Sequence, residues 1–524
     1  MRSKRLLIGL LFAMCLTAQV SRRPKLVVAV VLDQFRYDYL TRFRSDYKGG
    51  LDRMLRQGAV FTNAHYEQAP TVTAVGHSIV MTGAMPAVSG IVGNTWLDSR
   101  SGKQVTSVCD YNFHLVGTET PPPGVRCEDW DPASPNRLLV STVGDELRNR
   151  DDRSKVFGIS LKARSAILPS GHRANGAFWF DDQSGMFVSS DFYFPELPEW
   201  VRDFNRQKLP AEYLSQKWPG FESWDFHAEE GSPRPYEKIP ASPWGNELLE
   251  KLAERAIDAE KLGQREATDL LTLSFSSNDY VGHQTGPDAP EVRDMCIRTD
   301  QLLAKLFDVI AQKVGLDNAL FVLSADHGVA PVPEVQKEHK MPGDYVFVDI
   351  EDIVRSAFAK KLGAGEYITG SVDNAIYLDH KALDEKKIDL AAAYRIAVEA
   401  LLAVPQAHVA RVFTRDQLSQ GIAGDAVSRA MVNGFYPPRS GDIIVLFEPY
   451  YMGVMKLPAR TTHFTPYNYD THVPVIFFGA GVKPGWRSNH IQVNDIAPTL
   501  AALMDVELPS GAFGRVLTEM LQSQ

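Results

Sequence analysis

A hydroxyl, a scatter of carboxylates and imidazoles, and two cations are the groups in this sequence that could do chemistry. The stretch Pro70 to Gly83 follows a Gly/Ala/aromatic run, Gly58 to Tyr66, and leads into a helical pattern closed by Gly83. Thr71 or Thr73 then stands at the mouth of a helix, where free N–H groups and the positive dipole end favour negative charge. Such a place suits a nucleophilic alkoxide or phosphate oxygens. A lone Thr there is ordinarily an N-cap, so its neighbours must decide. Asp33 ends the β-branched run Lys25 to Leu32; taken alone it caps the following turn. Asp279 and His283, four apart, share one face of a helical turn and form a chelating pair, although a plain surface contact has the same spacing. Asp326-His327-Gly328 follows the run Asn318 to Ser324 and presents two metal-type ligands at a strand exit. Lys162 and Arg164 directly follow Lys155 to Leu161, where a solvated edge is the competing reading. Asn94, in the Gly-spaced turn Ser89 to Trp96, is by itself a common turn residue.

These groups need strands to carry them to one place. Lys25–Leu32, Lys155–Leu161, Asp269–Phe275, Asn318–Ser324, Asp442–Phe447 and Val473–Gly479 are near-continuous apolar runs, as in strands covered on both faces. Helical patterns at Asn136–Asn149, Asn246–Leu262, Glu291–Val314 and Asn494–Leu503 lie between or beyond them. The alternation predicts an α/β fold: a doubly wound, mostly parallel sheet with helices on both faces. Acidic and imidazole groups recur at its strand exits, where open sheets gather ligands. Two stretches lack core strands and are expected to be insertions forming a cap. One covers about 170–243; the other covers about 331–440 and contains helices at Ile350–Lys361 and Asp389–Leu402.

The chain has 524 residues, ample for a large core. A net charge of −9 gives no support for a nucleic-acid surface. Met1 to Arg5 is basic, Leu6 to Leu16 is apolar, and Thr17 and Ala18 are small, so residues 1–18 read as a signal peptide. The apolar run is short for a membrane span, and Met14 before Cys15 is a poor fit to a lipoprotein box. The expectation is an exported protein, periplasmic or secreted, with no stable membrane anchor after cleavage. Cys109 and Cys127 lie in a loop-rich region and can pair in an oxidising compartment; Cys296, in a helical pattern, reads as a small buried hydrophobe.

In order, Asp33, Thr73, Asp279-x-x-x-His283, Asp326-His327 and His472 resemble the alkaline phosphatase superfamily, and within it the type I phosphodiesterase/nucleotide pyrophosphatase branch. The Thr-containing stretch through Gly83, the Gly93-Asn94 pair, Asp326-His327-Gly328 and Asp470-Thr471-His472-Val473-Pro474 carry the likeness. Ser160 to Ala166, with Lys162 and Arg164, resembles the phosphate-irrepressible alkaline phosphatases. The resemblance implies one catalytic domain over residues 24–524 that holds two zinc ions. Asp279, His283 and His472 would hold one; Asp33, Asp326 and His327 would hold the other, with Thr73 as a further ligand. It implies a zinc-dependent phosphomonoester hydrolase acting through a phosphothreonine at Thr73. The alcohol would leave toward the ion held by Asp279, His283 and His472, and water activated there would release phosphate. Asn94, Lys162 and Arg164 would neutralise the non-bridging phosphate oxygens.

The Cys/Ser-x-Pro-x-Arg signature of sulfatases is absent from the nucleophile region. Two extra cations suit a monoester dianion, so small-molecule phosphate monoesters are the expected substrates. A phosphodiesterase or nucleotide pyrophosphatase with the same two-metal site is the alternative, with a phosphonate hydrolase behind it. A non-catalytic metal- or phosphate-binding protein is the reading from another class, and the intact Thr73 argues against it. His77 is expected to pack or hydrogen-bond within its helix. His463 is placed outside the ligand set, orienting His472 or a neighbouring carboxylate. The physiological ester and the oligomeric state are not set by the sequence.

Overall fold

The computed structural model describes residues 23–98, 101–118, 133–421, 424–454 and 458–522. The signal segment 1–18 and Cys127 lie outside the described residues. The main sheet has ten strands: β1 (Leu26–Leu32), β2 (Ala59–Phe61), β3 (Leu115–Val116), β4 (Val156–Ser160), β5 (Gly176–Asp181), β6 (Met186–Ser190), β7 (Asp269–Phe275), β8 (Ala319–Ser324), β9 (Val475–Gly479) and β10 (Gly485–Arg487). Their spatial order is β10-β2-β9-β8-β1-β7-β4-β5-β6-β3. β8, β1, β7, β4 and β5 run parallel, while β9 and β6 pair antiparallel to their neighbours. Every residue of β1, β7 and β8 is buried, as continuous apolar runs require when both faces are covered.

Register matters more here than strand count. Val31 lies level with Ser324, Leu32 with Phe275, and Ser274 with Ser160. The four neighbours β8, β1, β7 and β4 therefore end together on one edge. Helices pack in two groups: Gly50–Gln57 and Pro243–Ala259 each pack on Pro290–Lys313, and Val143–Arg150, Ile496–Met504, α1 (Thr73–Thr82) and α2 (Ala163–Ile167) form the other. This is the expected doubly wound α/β architecture. Among the described residues, no helix is long and apolar enough to cross a membrane.

The boundaries of the two insertions need correction. Residues 170–243 are not all cap, because β5 and β6 extend the main sheet as an antiparallel hairpin. Their aromatic runs, Phe178-Trp179-Phe180 and Phe187-Val188, are short and lack the long β-branched stretch that marks the central strands. Ile443–Phe447 does not return to the main sheet. It completes a separate four-stranded sheet with Ile368–Val372, Ala375–Leu378 and Val409–Thr414. That second sheet has its own core, including Val354, Phe358, Ile376, Leu401 and Ile443, and this core claims the strand. The helix expected from Asn136 starts later, at Val143, where Thr142 and Asp145 form a reciprocal capping box. Cys296 is fully buried in its helix, as its surroundings in the sequence suggest.

Candidate active site

The shared strand edge collects the chemistry. Asp326 and His327 follow β8, Asp33 follows β1, Lys162 follows β4, and α3 (Ser277–Thr285) follows β7 carrying Asp279 and His283. Two buried groups of ligand atoms result, each with its atoms within 4.8 Å of one another: Asp33, Asp326 and His327, and Asp279, His327 and His463. His327 belongs to both. His283 joins the second group through Nε2, 3.2 Å from Asp279 Oδ1. The three imidazoles are held alike. Nδ1 of His283 meets the Thr461 carbonyl at 2.7 Å, Nδ1 of His327 the Gly328 carbonyl at 2.9 Å, and Nδ1 of His463 the Thr71 carbonyl at 2.7 Å. A carbonyl accepts only, so each Nδ1 carries the proton and each Nε2 offers a lone pair inward.

His472 is not in either group. Its Nε2 contacts the Thr62 carbonyl at 3.0 Å, and its ring stacks between Tyr37 and His65, both with centroids 4.5 Å away. His463 stands in the place expected of it, with its ring 3.5 Å from that of His327 and Nε2 3.8 Å from Asp279 Oδ1. The cause is local. Asp470 accepts from the Phe464 and Thr465 backbone N–H groups at 3.1 and 2.8 Å and from the Thr465 hydroxyl at 2.6 Å. This folds the loop back so that His463 faces the carboxylates and His472 faces β2.

Thr73 is the first residue of α1, and Val72 holds the cap position in extended backbone without a side-chain cap. The Thr73 hydroxyl is therefore not consumed as an N-cap. Gly83 closes the helix in the left-handed region at φ 65°, as expected. α1 lies hard against the β8 exit: a Cβ on Gly76 would fall 2.1 Å from the Asp326 carbonyl oxygen. His77 hydrogen-bonds as expected, with Nδ1 2.9 Å from the Thr73 carbonyl and Nε2 2.8 Å from Ser274 Oγ; Nδ1 also lies 3.2 Å from Asp326 Oδ2. Asn94 Oδ1 accepts the Ala74 N–H at 2.8 Å, which fixes its amide beside the helix mouth. Lys162 Nζ donates to Asp33 Oδ2 at 2.7 Å and Asp279 Oδ2 at 2.6 Å, and sits 5.0 Å from the Tyr280 ring centre. Arg164 and Lys162 line a cavity of about 200 Å³ with Asp182, Arg234 and Tyr280.

The profile of one family, type I phosphodiesterase/nucleotide pyrophosphatase, matches residues 27–463. The chain belongs to that family. Alkaline phosphatase PafA of Elizabethkingia meningoseptica is 36% identical over 533 residues, covering 95% of this chain and 95% of that protein. Alkaline phosphatase PhoV of Synechococcus elongatus is 36% identical, covering 96% of this chain and 94% of that protein. The crystal structure of wild-type PafA matches with a TM-score of 0.88 at 36% identity, over 96% of this chain and 99% of that one. A PafA variant altered at one threonine, one asparagine, one lysine and one arginine matches with a TM-score of 0.86.

For a phosphodiesterase-family chain, the electrostatics of this edge ask for cations. Burial first, then repulsion by Asp279 and Asp326, pushes Asp33 well above the usual carboxylate range. Burial also opposes ionisation of Asp279, but Lys162 and then His283 hold it well below that range. Burial, with His327 and His283 nearby, keeps His463 neutral. Asp33 Oδ1, Asp326 Oδ2 and His327 Nε2 are buried and lack hydrogen-bond partners among the described residues. Buried carboxylate oxygens and an imidazole lone pair without donors fit metal ions, which satisfy them together. Gln34 was not singled out by sequence. It sits in left-handed backbone at φ 58°, donates its N–H to Asp326 Oδ1 at 3.0 Å and its side-chain amide to Asp279 Oδ1 at 2.9 Å. It thereby braces carboxylates from both groups; its only sequence signal is its place directly after Asp33.

Proposed function

We propose that the chain is a metal-dependent phosphomonoester hydrolase that uses two zinc ions and Thr73 as nucleophile. The observation that carries the reading is the pair of buried Asp/His groups sharing His327 at the exits of three adjacent parallel strands. Asp33, Asp326 and His327, with the Thr73 hydroxyl, are the residues for one ion. Asp279, His283 and His463 are those for the other, with His463 replacing His472. Carboxylate and imidazole sets of this size suit zinc with a position left open. When bound, the ions supply the positive charge that makes a Thr hydroxyl a competent nucleophile and stabilises the departing alkoxide.

The chain's own residues do the rest. Thr73 Oγ1 forms a bond to phosphorus as the bond to the alcohol oxygen breaks, leaving a phosphothreonine. Water then cleaves that ester, regenerating the hydroxyl and releasing inorganic phosphate. Asn94, Lys162 and Arg164 neutralise the non-bridging oxygens, a task of positioning and charge. The relatives named alkaline phosphatase support the monoester reading, and so do Lys162 and Arg164, since a dianion has one more charged oxygen than a diester. Export through the segment 1–18, to the periplasm or beyond, is part of the same proposal.

The test is a panel of phenyl phosphate and its methyl diester, with zinc removed and restored, beside Thr73→Ala. Phosphate release from the monoester should need both zinc and Thr73; no release by zinc-loaded protein would refute the reading. Lys162→Ala or Arg164→Ala should lower monoester turnover by roughly 100-fold and diester turnover far less. Equal loss on both substrates would point to the diesterase alternative.

A further inference from the structure

Two adjoining cavities open where the second sheet meets the active-site loops. One, of about 220 Å³, is lined by His463, Phe464, Tyr451, Tyr469, Asp373 and Asn374. The other, of about 80 Å³, runs past Pro70, Gly93 and Thr95, and the two share Asp373, Asn374, Phe464 and Thr465. Together they span from the turns holding Thr73 and Asn94 to the ring of His463, and the tip of the hairpin Val372-Asp373-Asn374-Ala375 stands where the two join. The walls are mainly apolar and aromatic, with Asn374, Thr465 and His463 among their polar groups. Asp373 is the one aspartate, glutamate, lysine or arginine lining either cavity among the described residues. It is exposed, holds left-handed backbone at φ 51°, and has no hydrogen bond or ion pair among the described residues.

We propose that this cleft receives the alcohol part of the substrate, and that Asp373 selects neutral or cationic leaving groups against anionic ones. The inference rests on the phosphomonoesterase reading, which places the departing oxygen on the His463 side. A group bonded to that oxygen enters between Phe464 and Tyr451 and meets the Asp373 carboxylate where the two cavities join. Aromatic walls favour apolar or aromatic alcohols through burial of their surface. One unpaired carboxylate at the edge of the cleft, which partial burial pushes up to about 6 and which is ionised above that pH, repels a second negative charge several ångströms away. The class excluded is therefore that of phosphate esters carrying another carboxylate or phosphate on the alcohol.

The experiment compares kcat/KM for para-chlorophenyl phosphate and para-carboxyphenyl phosphate, whose phenols have similar acidity, so that chemistry is matched and charge is not. The wild-type chain should favour the neutral ester. Asp373→Asn, which suits left-handed backbone, should shrink the neutral-to-anionic ratio about fivefold, and Asp373→Lys should shrink it further. On the wild-type protein alone, raising the salt concentration should also reduce the ratio by screening. A ratio that stays the same in Asp373→Asn and does not respond to salt overturns the inference. If the zinc-loaded wild type releases phosphate from neither ester, the monoesterase reading itself fails, a different and recognisable result.

Discussion

The three imidazoles of the site each spend one ring nitrogen on a backbone carbonyl, and that fixes which nitrogen is left for a metal. His472 spends its Nε2 on Thr62 outside the site, and its ring is held by stacking. Replacement of the two histidines should therefore give opposite results. His463→Ala is expected to lose about one of the proposed two metal equivalents and more than about 100-fold in kcat, since a ligand matters at least as much as its supports. His472→Ala should keep its metal content and most of its activity, at a packing cost of about 1 kcal/mol. Metal analysis of the purified variants, read beside turnover, decides it; metal loss in His472→Ala would contradict the geometry. Lys162 shows the same economy, since one ammonium meets Asp33 and Asp279 together and pulls two strand exits toward each other.

At the scale of elements, the site is set by strand register and by one helix pressed onto it. β8, β1, β7 and β4 end level, so residues far apart in sequence arrive side by side. α1 approaches this edge because Gly76 has no Cβ, allowing contact with the Asp326 backbone. Gly76→Ala would have to move either α1 or the β8 exit. It should cost about 1–3 kcal/mol of stability and lower turnover more than it raises KM, because Thr73 is displaced while the rest of the cleft is kept. Denaturant unfolding and steady-state kinetics on the same preparation test this; wild-type kinetics would show that α1 does not set the nucleophile. The second sheet contributes through a different device, a hairpin tip reaching over the cleft from a body with its own core.

For the whole molecule, the buried acidic edge should make stability depend on bound ions. Asp33, Asp279 and Asp326 are all buried, with Lys162 as the one lysine or arginine donating to any of them among the described residues. Chelation should lower the thermal midpoint and zinc should restore it; at free zinc about 100-fold above Kd the gain is about 2.7 kcal/mol per site. Calorimetry before and after chelation measures it, and an unchanged midpoint would count against ions at this edge. A separate pH effect comes from the stack of His65, His472 and His490. Burial, then the neighbouring His472 and His490, pushes His65 down to about 4. The folded state thus refuses a proton that the unfolded chain accepts near pH 6.5, so stability is intact at neutral pH and falls as pH drops from about 6.5 to 4. The loss should reach about 2 kcal/mol after allowance for solvent screening, and His65→Gln should flatten that part of the urea-unfolding curve.

Much of this was readable in the chain. The central strands declared themselves because strands buried on both faces must be apolar throughout, and Asp33, Asp326 and His327 stood out by following them. Asp279 and His283 were legible because the turn of a helix is a local property. The choice between His463 and His472 was not, since both precede β9 and only the hydrogen bonds of Asp470 decide which one turns inward. Nor was the placement of Ile443–Phe447, whose apolar run suits either sheet. Local patterning, in short range, determined the strands, the helix mouth at Thr73 and most of the ligand types. Which groups meet, which imidazole faces the carboxylates and where Asp373 stands were left to tertiary structure, because contacts between distant segments depend on register and loop path, and neither is written in any one stretch of residues.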